Sequence, residues 1–516
     1  MKKYIEIGCL LVMVFIAGCI DDKGNYDYIS SGEVFPVKIS GLDSSFNCLV
    51  GDLLQLTPVV TGIEGERNLK YTWFLYRRGI AYSVEDTLCH TKDLKWLVNC
   101  DVNNYSLLFE VRDTVRDLFS KKTLDLTVNT AYSTGWFVLE DDGMNTDVDM
   151  LEGGKTTENL MEIFGSGRME GKAKKIVFKE RHPQEVENVD GTVKKEYKKA
   201  FTIISEEDMR VYDAQNMGIL KYRNDCFYEI PENLRPLNVA TESVSDEVNV
   251  DGKFYLMSSG NIGKFGYPMM GIDGTENYRI FEEGVLYSQF CYLWEEVTGS
   301  FVHAYMGNSR FNLLNEAKDG EANYGGVSNT GSEMKRFRFR NYKYEYKVTP
   351  ATWTAYALWR NGEGKYEILD LAFVATNYPI KGKYDLPVGS GLPEAKVMEV
   401  HQTETRIFFS EGNQLYEHLV NSNTSLANRE RVVYTFPAGE EISCIRHIIV
   451  NRKSSSEQMN CLVVLTNIEN SWKLYRFEFL NGGGEFDMTV LPEKAMIGQG
   501  EGYARYVLRM DNNWSY

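Results

Sequence analysis

The sequence has few histidines and lacks the short motifs that usually mark catalytic and metal sites. It contains only six histidines among 516 residues, and no HExxH, CxxC, GxSxG or Walker-type phosphate-binding pattern occurs. These patterns set zinc ligands, redox thiols, a serine nucleophile or a phosphate-binding loop at fixed spacings. The sequence therefore predicts no metal site, no cofactor and no catalytic residue.

Positive charge and proline are also scarce. The 56 Lys and Arg residues are outnumbered by 73 Asp and Glu, which gives a formal net charge of -17. An acidic surface repels phosphate backbones, so nucleic acid is not expected as a partner. Only 12 prolines stand against 32 tyrosines and 26 phenylalanines, and this usage favours strands. With 43% apolar residues, the chain is typical of a folded protein with more than one domain.

No apolar run of the sequence is long enough to cross a bilayer, and this includes the run near its start. Lys2 and Lys3 precede the run Ile7–Ala17, which is shorter than the roughly 20 residues that a transmembrane helix needs. This pattern is typical of a signal peptide, here predicted over residues 1–18. The small residues before Cys19 resemble the lipobox of bacterial lipoproteins, which implies lipidation of the Cys19 thiol. An ordinary secretory signal with a chance cysteine is the alternative.

The residues after Cys19 resemble those of a known family. Asp-Asp-Lys-Gly-Asn-Tyr-Asp-Tyr at residues 21–28, Tyr71-Thr72-Trp73 and Gly135–Leu139 are similar to the PKD-like lipoproteins of Bacteroidota, over about the first third of the chain. The resemblance implies an outer-membrane lipoprotein exposed at the cell surface, with residues 19–33 as its tether. It also implies neighbouring transporters and surface lipoproteins of the starch-utilisation type, but it brings no established activity.

Residues 34–132 predict a β-sandwich of immunoglobulin or PKD type. Short apolar runs recur there, and in Leu124–Val128 the apolar residues alternate with polar ones, which is the period of a half-buried strand. Trp73 lies on a middle strand, where we expect it to pack in the core.

Residues 133–516 show a repeat of roughly fifty residues, the period of propeller blades. The repeated apolar runs are Trp136–Leu139, Phe201–Ile204, Phe254–Met257, Val302–Tyr305, Ala355–Trp359, Ile407–Phe409, Leu462–Leu465 and Tyr506–Leu508. Several runs are followed by a polar turn and a second strand-like run, as in hairpins. We therefore predict an all-β chain in which the sandwich is followed by a β-propeller of about seven blades, with six or eight as alternatives. The run Tyr506–Leu508 is expected to complete the blade that the start of this domain begins.

Two charged segments of this domain allow more than one interpretation. Lys172–Glu180 and Lys194–Lys199 flank Asp190-Gly191, a dipeptide that favours a two-residue hairpin turn. A solvated hairpin is favoured over a basic arm for an acidic partner. The segment Asp141–Asp149 has oxygen donors at alternate positions, as calcium loops do, but its glycine is misplaced for an EF-hand. We expect a polar turn there.

Nine cysteines are present, of which Cys9 belongs to the signal and Cys19 to the lipid site. An odd number remains, so these cannot all pair. Cys89 and Cys100 are the best candidates for a disulfide because they are close in sequence within the exported sandwich.

The aromatic segment Lys335–Lys347 is the candidate ligand site. In an uninterrupted strand, Phe337 and Phe339 would lie on one face and the tyrosines on the other. A bulge at Arg340-Asn341 would bring both sets to the same face. Tyrosine rings can stack on sugars and hydrogen-bond them, so an exposed row predicts glycan binding. The predicted ligand-binding residues are Tyr342, Tyr344 and Tyr346. Ordinary packing between blades is the alternative.

The leading functional hypothesis is a non-enzymatic accessory or binding lipoprotein of a nutrient-uptake system, whose ligand is a glycan, a peptide or a partner protein. The alternative is a propeller-type glycoside hydrolase, lyase or peptidase, whose carboxylates would converge at the central channel without leaving a linear motif. A third hypothesis is a structural subunit that clamps a transporter complex. The paired carboxylates Glu206-Glu207 and Glu440-Glu441 do not decide between them, because adjacent residues of a strand point to opposite faces.

Overall fold

The structure is a computed structural model. It describes residues 35, 37–62, 68–77, 86–130, 132, 134–187, 192–242, 245–258, 262–287, 289–340, 353–420, 425–450, 457–480, 486, 495–511 and 514–515. The predicted signal peptide, the tether and Cys19 lie outside the described residues. No helix among those described is long and apolar enough to cross a membrane.

The chain divides into two compact units, Met1–Thr130 and Ala131–Tyr516. The first unit is built from nine described strands. They are β1 (Lys38–Ser40), β2 (Ser45–Leu49), β3 (Leu53–Leu56), β4 (Val59–Thr61), β5 (Leu69–Arg77), β6 (Asp86–Cys89), β7 (Leu94–Leu97), β8 (Asn103–Asp113) and β9 (Leu118–Asn129). A five-stranded sheet has the order β2-β9-β8-β5-β6, and two short pairs, β1-β4 and β3-β7, accompany it. Only the β2–β9 pairing is parallel among these.

The core of the first unit follows from the alternation of its strands. Along β8 every second side chain, from Tyr105 to Val111, is buried, and the residues between them are half-exposed. Trp73 on β5 is fully buried, its ring lies 4.6 Å from that of Phe109, and its Nε1 donates a hydrogen bond to the Lys92 carbonyl at 3.1 Å. The predicted core position of Trp73 is confirmed, as is the sandwich class of this unit.

The candidate disulfide between Cys89 and Cys100 is not formed, and both residues are free thiols. Cys89 ends the edge strand β6, where it is paired with Trp73. Cys100 follows β7 and lies close to a different cysteine, Cys48 of β2. Burial raises the pKa of Cys48 to about 11, and the proximity of Cys100 adds to the rise. Closeness in sequence was therefore a poor guide, because the strand order brings Cys100 towards β2.

The second unit contains seven sheets in the part of the chain that the structure describes. We call them blades 1 to 7. Blade 1 contains β10 (Thr134–Asp141), β11 (Asn145–Glu152), β12 (Lys155–Thr157), β13 (Met169–Glu170), β37 (Tyr503–Asp511) and β38 (Trp514–Ser515), with the short helix α1 (Leu160–Ile163). Blade 2 contains β14 (Ala173–Glu187), β15 (Val193–Ser205), β16 (Met209–Asp213) and β17 (Ile219–Lys221). Blade 3 contains β18 (Pro236–Thr241), β19 (Ser245–Val250) and β20 (Lys253–Ser258).

The other four blades each have four antiparallel strands in sequence order. Blade 4 contains β21 (Ile280–Tyr287), β22 (Phe290–Glu295), β23 (Ser300–Tyr305) and β24 (Asn312–Leu313). Blade 5 contains β25 (Glu333–Arg340), β26 (Trp353–Arg360), β27 (Tyr366–Phe373) and β28 (Ile380–Asp385). Blade 6 contains β29 (Met398–Val400), β30 (Arg406–Glu411), β31 (Gln414–Leu419) and β32 (Glu430–Thr435), with α2 (Leu426–Arg429) between its last two strands. Blade 7 contains β33 (Glu441–Val450), β34 (Met459–Ile468), β35 (Ser471–Glu478) and β36 (Met496–Glu501).

The seven blades form a closed ring. One strand from each blade contacts its counterparts in the two neighbouring blades, in the cyclic order β37, β14, β18, β21, β25, β29, β33 and back to β37. The strand β37 is near the end of the chain, yet it pairs with β10 from Thr134–Asp511 to Asp141–Tyr503. It thereby supplies the inner strand of the first blade. The predicted all-β fold with a seven-bladed propeller is confirmed, and so is the closing role of Tyr506–Leu508.

Each apolar run marks a blade, but the run does not lie on the same strand in every blade. Trp136–Leu139 and Leu462–Leu465 lie on the second strand of their blades, whereas Phe254–Met257 and Val302–Tyr305 lie on the third. The reason in blade 3 is that the second strand, β19, carries Asp246, Glu247 and Asn249 and therefore lacks a continuous apolar run.

Neighbouring blades are held together by apolar side chains. Between blades 1 and 2, Phe137, Phe201 and Tyr212 are fully buried in one cluster, and the rings of Phe137 and Phe201 lie 4.9 Å apart. Burying one such ring stabilises the fold by about 2 to 3 kcal/mol. The rigid ring that results fixes the side chains that point towards its axis.

The charged segment Lys172–Lys199 forms the hairpin β14–β15, which pairs from Ala173–Ser205 to Glu187–Val193. Its turn at Asp190-Gly191 lies outside the described residues. The interpretation as a solvated hairpin does not hold throughout, because Lys179 is buried and pairs with Asp246 of blade 3, and His182 is buried as well. Lys179 is therefore an internal contact between blades 2 and 3.

Candidate functional site

The predicted tyrosine row, Tyr342, Tyr344 and Tyr346, lies outside the described residues. The strand that precedes it, β25, is described. Its Phe337 is buried and Phe339 is half-buried, which fits packing between blades.

The arginines of β25 alternate with these phenylalanines and contact the next blade. Arg336 Nη2 donates to the Ala395 carbonyl at 3.0 Å, Arg338 Nε to the Met398 carbonyl at 3.0 Å, and Arg340 Nε to the His401 carbonyl at 3.3 Å. Positions two apart on a strand share a face, so the three guanidinium groups form a ladder along blade 6. In this stretch the segment joins two blades.

A cluster of polar side chains lies at the axis of the ring, and each inner strand contributes one of them. We call it the axial cluster. It consists of Lys175, Asn238, Glu283, Arg338, Glu399, Arg446 and Tyr506, all half-buried. Charges on blades that are not neighbours act on one another here: Lys175 of blade 2 is affected by Arg446 of blade 7 and Arg338 of blade 5. Only side chains that point inward from a closed ring can meet in this way.

The axial cluster is cross-linked by hydrogen bonds. Arg338 Nη2 forms an ion pair with Glu283 Oε1 at 3.0 Å, and Glu283 Oε2 accepts a hydrogen bond from the Phe337 amide at 2.7 Å. Lys175 Nζ donates to Asn238 Oδ1 at 2.8 Å. Both oxygens of Glu283 are therefore held in fixed positions.

Arg446 and Tyr506 close the cluster on its opposite side. Arg446 Nη1 donates to the Val507 carbonyl at 2.7 Å, and its guanidinium lies 5.0 Å from the centre of the Tyr506 ring. This is within the range of a cation–π interaction. An aromatic ring, cationic donors and carboxylate acceptors thus meet at the axis.

The narrow axis changes how these groups ionise. Burial raises the pKa of Glu399, and the opposing attraction of Arg338 does not cancel the rise. Burial lowers the pKa of Lys175 to about 8, with repulsion from Arg446 acting in the same direction. Burial also tends to lower the pKa of Arg338, but the charges of Glu283 and Glu399 outweigh it and leave the pKa above its usual value. Proximity of opposite charges therefore keeps Arg338 ionised.

The polar turn expected over Asp141–Asp149 is confined to residues 142–144, and the rest of the segment belongs to β10 and β11. Gly143 N donates to Asp141 Oδ1 at 3.0 Å, and Met144 N donates to Asp142 Oδ1 at 2.9 Å. Within the described ranges no group of three or more His, Cys, Asp or Glu side chains could hold a metal ion. Asp141 and Asp142 accept hydrogen bonds from the backbone of the turn, whereas Asp147 and Asp149 lie on β11.

Of the paired carboxylates considered for hydrolysis, Glu440 has a structural role. It is buried and accepts hydrogen bonds from Thr466 Oγ1 at 2.7 Å, Lys473 Nζ at 2.6 Å and Tyr475 Oη at 3.0 Å. Its neighbour Glu441 faces the other way and pairs with Lys396 at 2.5 Å. The two residues do not form a pair of catalytic carboxyls.

Sequence reasoning missed the axial cluster. Its members are spread over more than three hundred residues, and each is one polar residue in a short inner strand. The sequence signal is a charged or polar residue within each inner strand. It can be used only when the strand register is known.

The predicted family resemblance is supported for the N-terminal part of the chain. The PKD-like family model matches residues 19–173. This match covers the sandwich and the strands β10 to β13 of blade 1, which is less than half of the chain. Among curated proteins, no sequence matches this one significantly.

Several solved structures are similar to this chain at low sequence identity. A quinonprotein alcohol dehydrogenase-like protein from Bacteroides thetaiotaomicron is 12% identical, with 90% of this chain and 96% of that chain covered and a TM-score of 0.38. YCF48 from Cyanidioschyzon merolae is 10% identical, with coverage of 64% and 96% and a TM-score of 0.34. Apo AztD from Citrobacter koseri is also 10% identical, with coverage of 85% and 98% and a TM-score of 0.20. The propeller assignment rests on the seven sheets and their closed order, and these similarities carry no argument about activity.

Proposed function

We propose that this chain is a lipid-anchored lipoprotein of the outer-membrane surface that binds a ligand without converting it, as an accessory component of a nutrient-uptake system. The ligand is a glycan, a peptide or a partner protein. The anchor is proposed from Cys19 and the apolar run before it, and the PKD-like match begins at Cys19 itself.

The observation that carries the binding function is the way in which Glu283 is held. Both of its oxygens are already engaged, one in the ion pair with Arg338 and one as the acceptor of a hydrogen bond from the Phe337 amide. A carboxylate fixed in this way can orient hydroxyl or amide groups of a ligand. It is poorly suited to act as a nucleophile or as a general acid or base. The axial cluster therefore favours recognition.

A second candidate function is glycoside hydrolysis, and one observation favours it. Burial raises the pKa of Glu399, and Glu399 lies near the ion-paired Glu283. Two carboxyls in unlike surroundings are the usual equipment for an acid and a base in glycosidases. This alternative assigns proton donation to Glu399.

The experiment that separates the two functions measures binding and turnover on the same samples. The mature protein is incubated with a panel of polysaccharides and peptides, affinity is measured by calorimetry, and products are followed by chromatography. We expect retention of a ligand with no product. Product formation that is lost in Glu399→Gln would establish the hydrolase and refute the binding function. The matched control is Glu363→Gln, at an exposed hairpin turn of blade 5.

The anchor is tested separately. Cys19→Ala is expected to leave the protein without lipid and to release it from the membrane fraction, because this thiol alone lies at the signal junction. Mass spectrometry of the mature N-terminus reads the result, and an unmodified N-terminus elsewhere in the wild type would contradict the anchor. Protease treatment of intact cells tests surface exposure, and co-purification with a transporter would favour the structural-subunit hypothesis.

A further inference from the structure

A small, partly open cavity lies between blade 1 and blade 7, away from the axial cluster. Its volume is about 60 Å³, and we call it the acidic cavity. Its charged lining residues are Glu140, Asp142, Asp149, Glu158, Glu501 and Arg168. Five carboxyl groups therefore face one guanidinium group.

Arg168 is fully engaged by the wall of the cavity. Its Nη1 lies 3.0 Å from Asp142 Oδ2, and its Nη2 lies 3.1 Å from Glu140 Oε1. Its Nε lies 3.5 Å from Asp147 Oδ2, beneath the cavity. The one cation of the lining is thus shared among three carboxylates and leaves an excess of negative charge.

Asp149 is likewise held in place. Its Oδ1 accepts a hydrogen bond from the Asn159 amide at 2.8 Å, and its Oδ2 accepts one from Trp472 Nε1 of blade 7 at 2.8 Å. Asn159 itself has a left-handed backbone, with a φ of 59°. These contacts join the two blades and fix the shape of the cavity.

Glu140 has one oxygen that nothing in the described structure satisfies. Its side chain is only 2% exposed, and Oε2 accepts no hydrogen bond from any described residue. Oε2 lies against Gly502, where a Cβ would overlap it. A buried polar atom without a partner is costly, and Glu140 lines the cavity, so this unpaired oxygen points to a missing donor there.

The surrounding charges show which kind of donor is missing. Burial raises the pKa of Glu140 to about 8, and repulsion from Asp149, Asp147 and Asp141 adds to the rise against the attraction of Arg168. Burial raises the pKa of Asp149 to about 7, against its two hydrogen bonds. A cation in the cavity would let these carboxyls ionise together.

The size and chemistry of the cavity favour an ammonium group over a metal ion or a sugar. Its carboxylate oxygens are oriented by backbone amides, Trp472 and Arg168, and no described cluster could hold a metal ion. A volume of 60 Å³ is about that of a few waters, which suits an ammonium group on a thin arm and excludes a sugar ring. An ammonium group also brings three hydrogen-bond donors, which suits an acceptor without a partner.

We infer that the acidic cavity binds a primary ammonium group on an unbranched alkyl arm, the chemistry of a lysine side chain, with the Glu140 carboxyl as its principal acceptor. The ligand class is therefore a lysine-bearing peptide or protein segment. This inference does not depend on the lipid anchor or on the axial cluster.

The test is calorimetry on the full mature protein with four probes. Nα-acetyl-lysine-N-methylamide is expected to bind, and the norleucine analogue, which has the same arm without the ammonium group, is not. Equal binding of the two would overturn the inference. Glucosamine and calcium chloride are the other probes, and tighter binding of either than of the lysine probe would also overturn it.

Glu140→Gln removes the charge but keeps the shape, and it is expected to weaken the lysine probe by about tenfold or more. Glu158→Gln, at the rim of the cavity, is expected to weaken it less, and the control Glu363→Gln is expected to leave it unchanged. Binding by the wild type at pH 7.5 should release protons, seen as a dependence of the measured heat on buffer ionisation, and Glu140→Gln should release fewer. Unchanged affinity in Glu140→Gln would refute the assignment.

Discussion

The buried carboxyl of Glu140 gives the second unit a stability that depends on pH, and Glu140→Gln isolates that dependence. The folded-state pKa is about 8, against an ordinary value of 4.5. Between these pH values the folded state keeps a proton that the unfolded state has lost. Ionisation is therefore disfavoured in the folded protein, and stability falls as the pH rises from 4.5 to 8. Glutamine carries no ionisable proton, so the variant lacks this loss.

The size of the effect follows from the two pKa values. At pH 5 the variant is expected to exceed the wild type in stability by less than about 1 kcal/mol, since this pH is only slightly above the ordinary pKa and little of the loss has accumulated. At pH 8.5 the difference is expected to rise to about 4 or 5 kcal/mol. For a unit of nearly four hundred residues, this corresponds to an increase of about 4 to 8 °C in melting temperature.

The assay is differential scanning calorimetry of the wild type and Glu140→Gln at half-unit steps from pH 5 to pH 9. Glu363→Gln is the control, because the Glu363 side chain is 74% exposed and forms an ion pair with the exposed Lys365. The control curve should run parallel to that of the wild type. If Glu140→Gln also runs parallel to the wild type, or falls below it at high pH, the account of the acidic cavity is wrong.

Four further outcomes are expected. Gly502→Ala should destabilise the second unit by more than about 2 kcal/mol in urea denaturation, because the φ of Gly502 is +86° and a Cβ there would overlap Glu140. The control Gly412→Ala should cost about 1 kcal/mol, because the φ of Gly412 is +57° and its Cβ would meet nothing within 4 Å. Equal costs would contradict the predicted overlap. Deleting residues 502–516 removes β37 and should abolish the cooperative thermal transition of the ring, and its retention would argue for an open arrangement. Arg338→Met should destabilise the protein by about 2 kcal/mol by leaving Glu283 unpaired, and adding Glu283→Gln should recover part of the loss; no recovery would show that the ion pair is not the cause. Limited proteolysis should cut between the sandwich and the propeller near residues 131–135, and cutting within the blades first would contradict that boundary.

The fold could be predicted because its strongest determinants are local and repeated. Apolar runs such as Trp136–Leu139 recur once per blade, and Tyr506–Leu508 is left over, which already indicates a ring closed by the last strand. The position of each run within its blade could not be predicted. In blade 3, Asp246 and Glu247 interrupt the second strand, and the apolar run shifts to the third.

The sites could not be predicted because they depend on side chains that are distant in sequence. Glu140 meets Gly502 and Trp472 approaches Asp149 only after blade 7 packs against blade 1. The acidic segment Asp141–Asp149 is visible in the sequence. The sequence does not show that the carboxyl groups of the acidic cavity outnumber its one cation, Arg168. Ligand binding by Tyr342, Tyr344 and Tyr346 remains a prediction that rests on their aromatic side chains alone.

The central claim is that a ligand binds at the axial cluster and is not converted. It is tested most directly by the dissociation constant of the ligand found in the panel, measured for the wild type and for Glu283→Gln at matched melting temperature. We predict that affinity falls by about tenfold or more in the variant, since an oriented carboxylate acceptor becomes a neutral amide. An unchanged dissociation constant in a folded Glu283→Gln protein would contradict the claim.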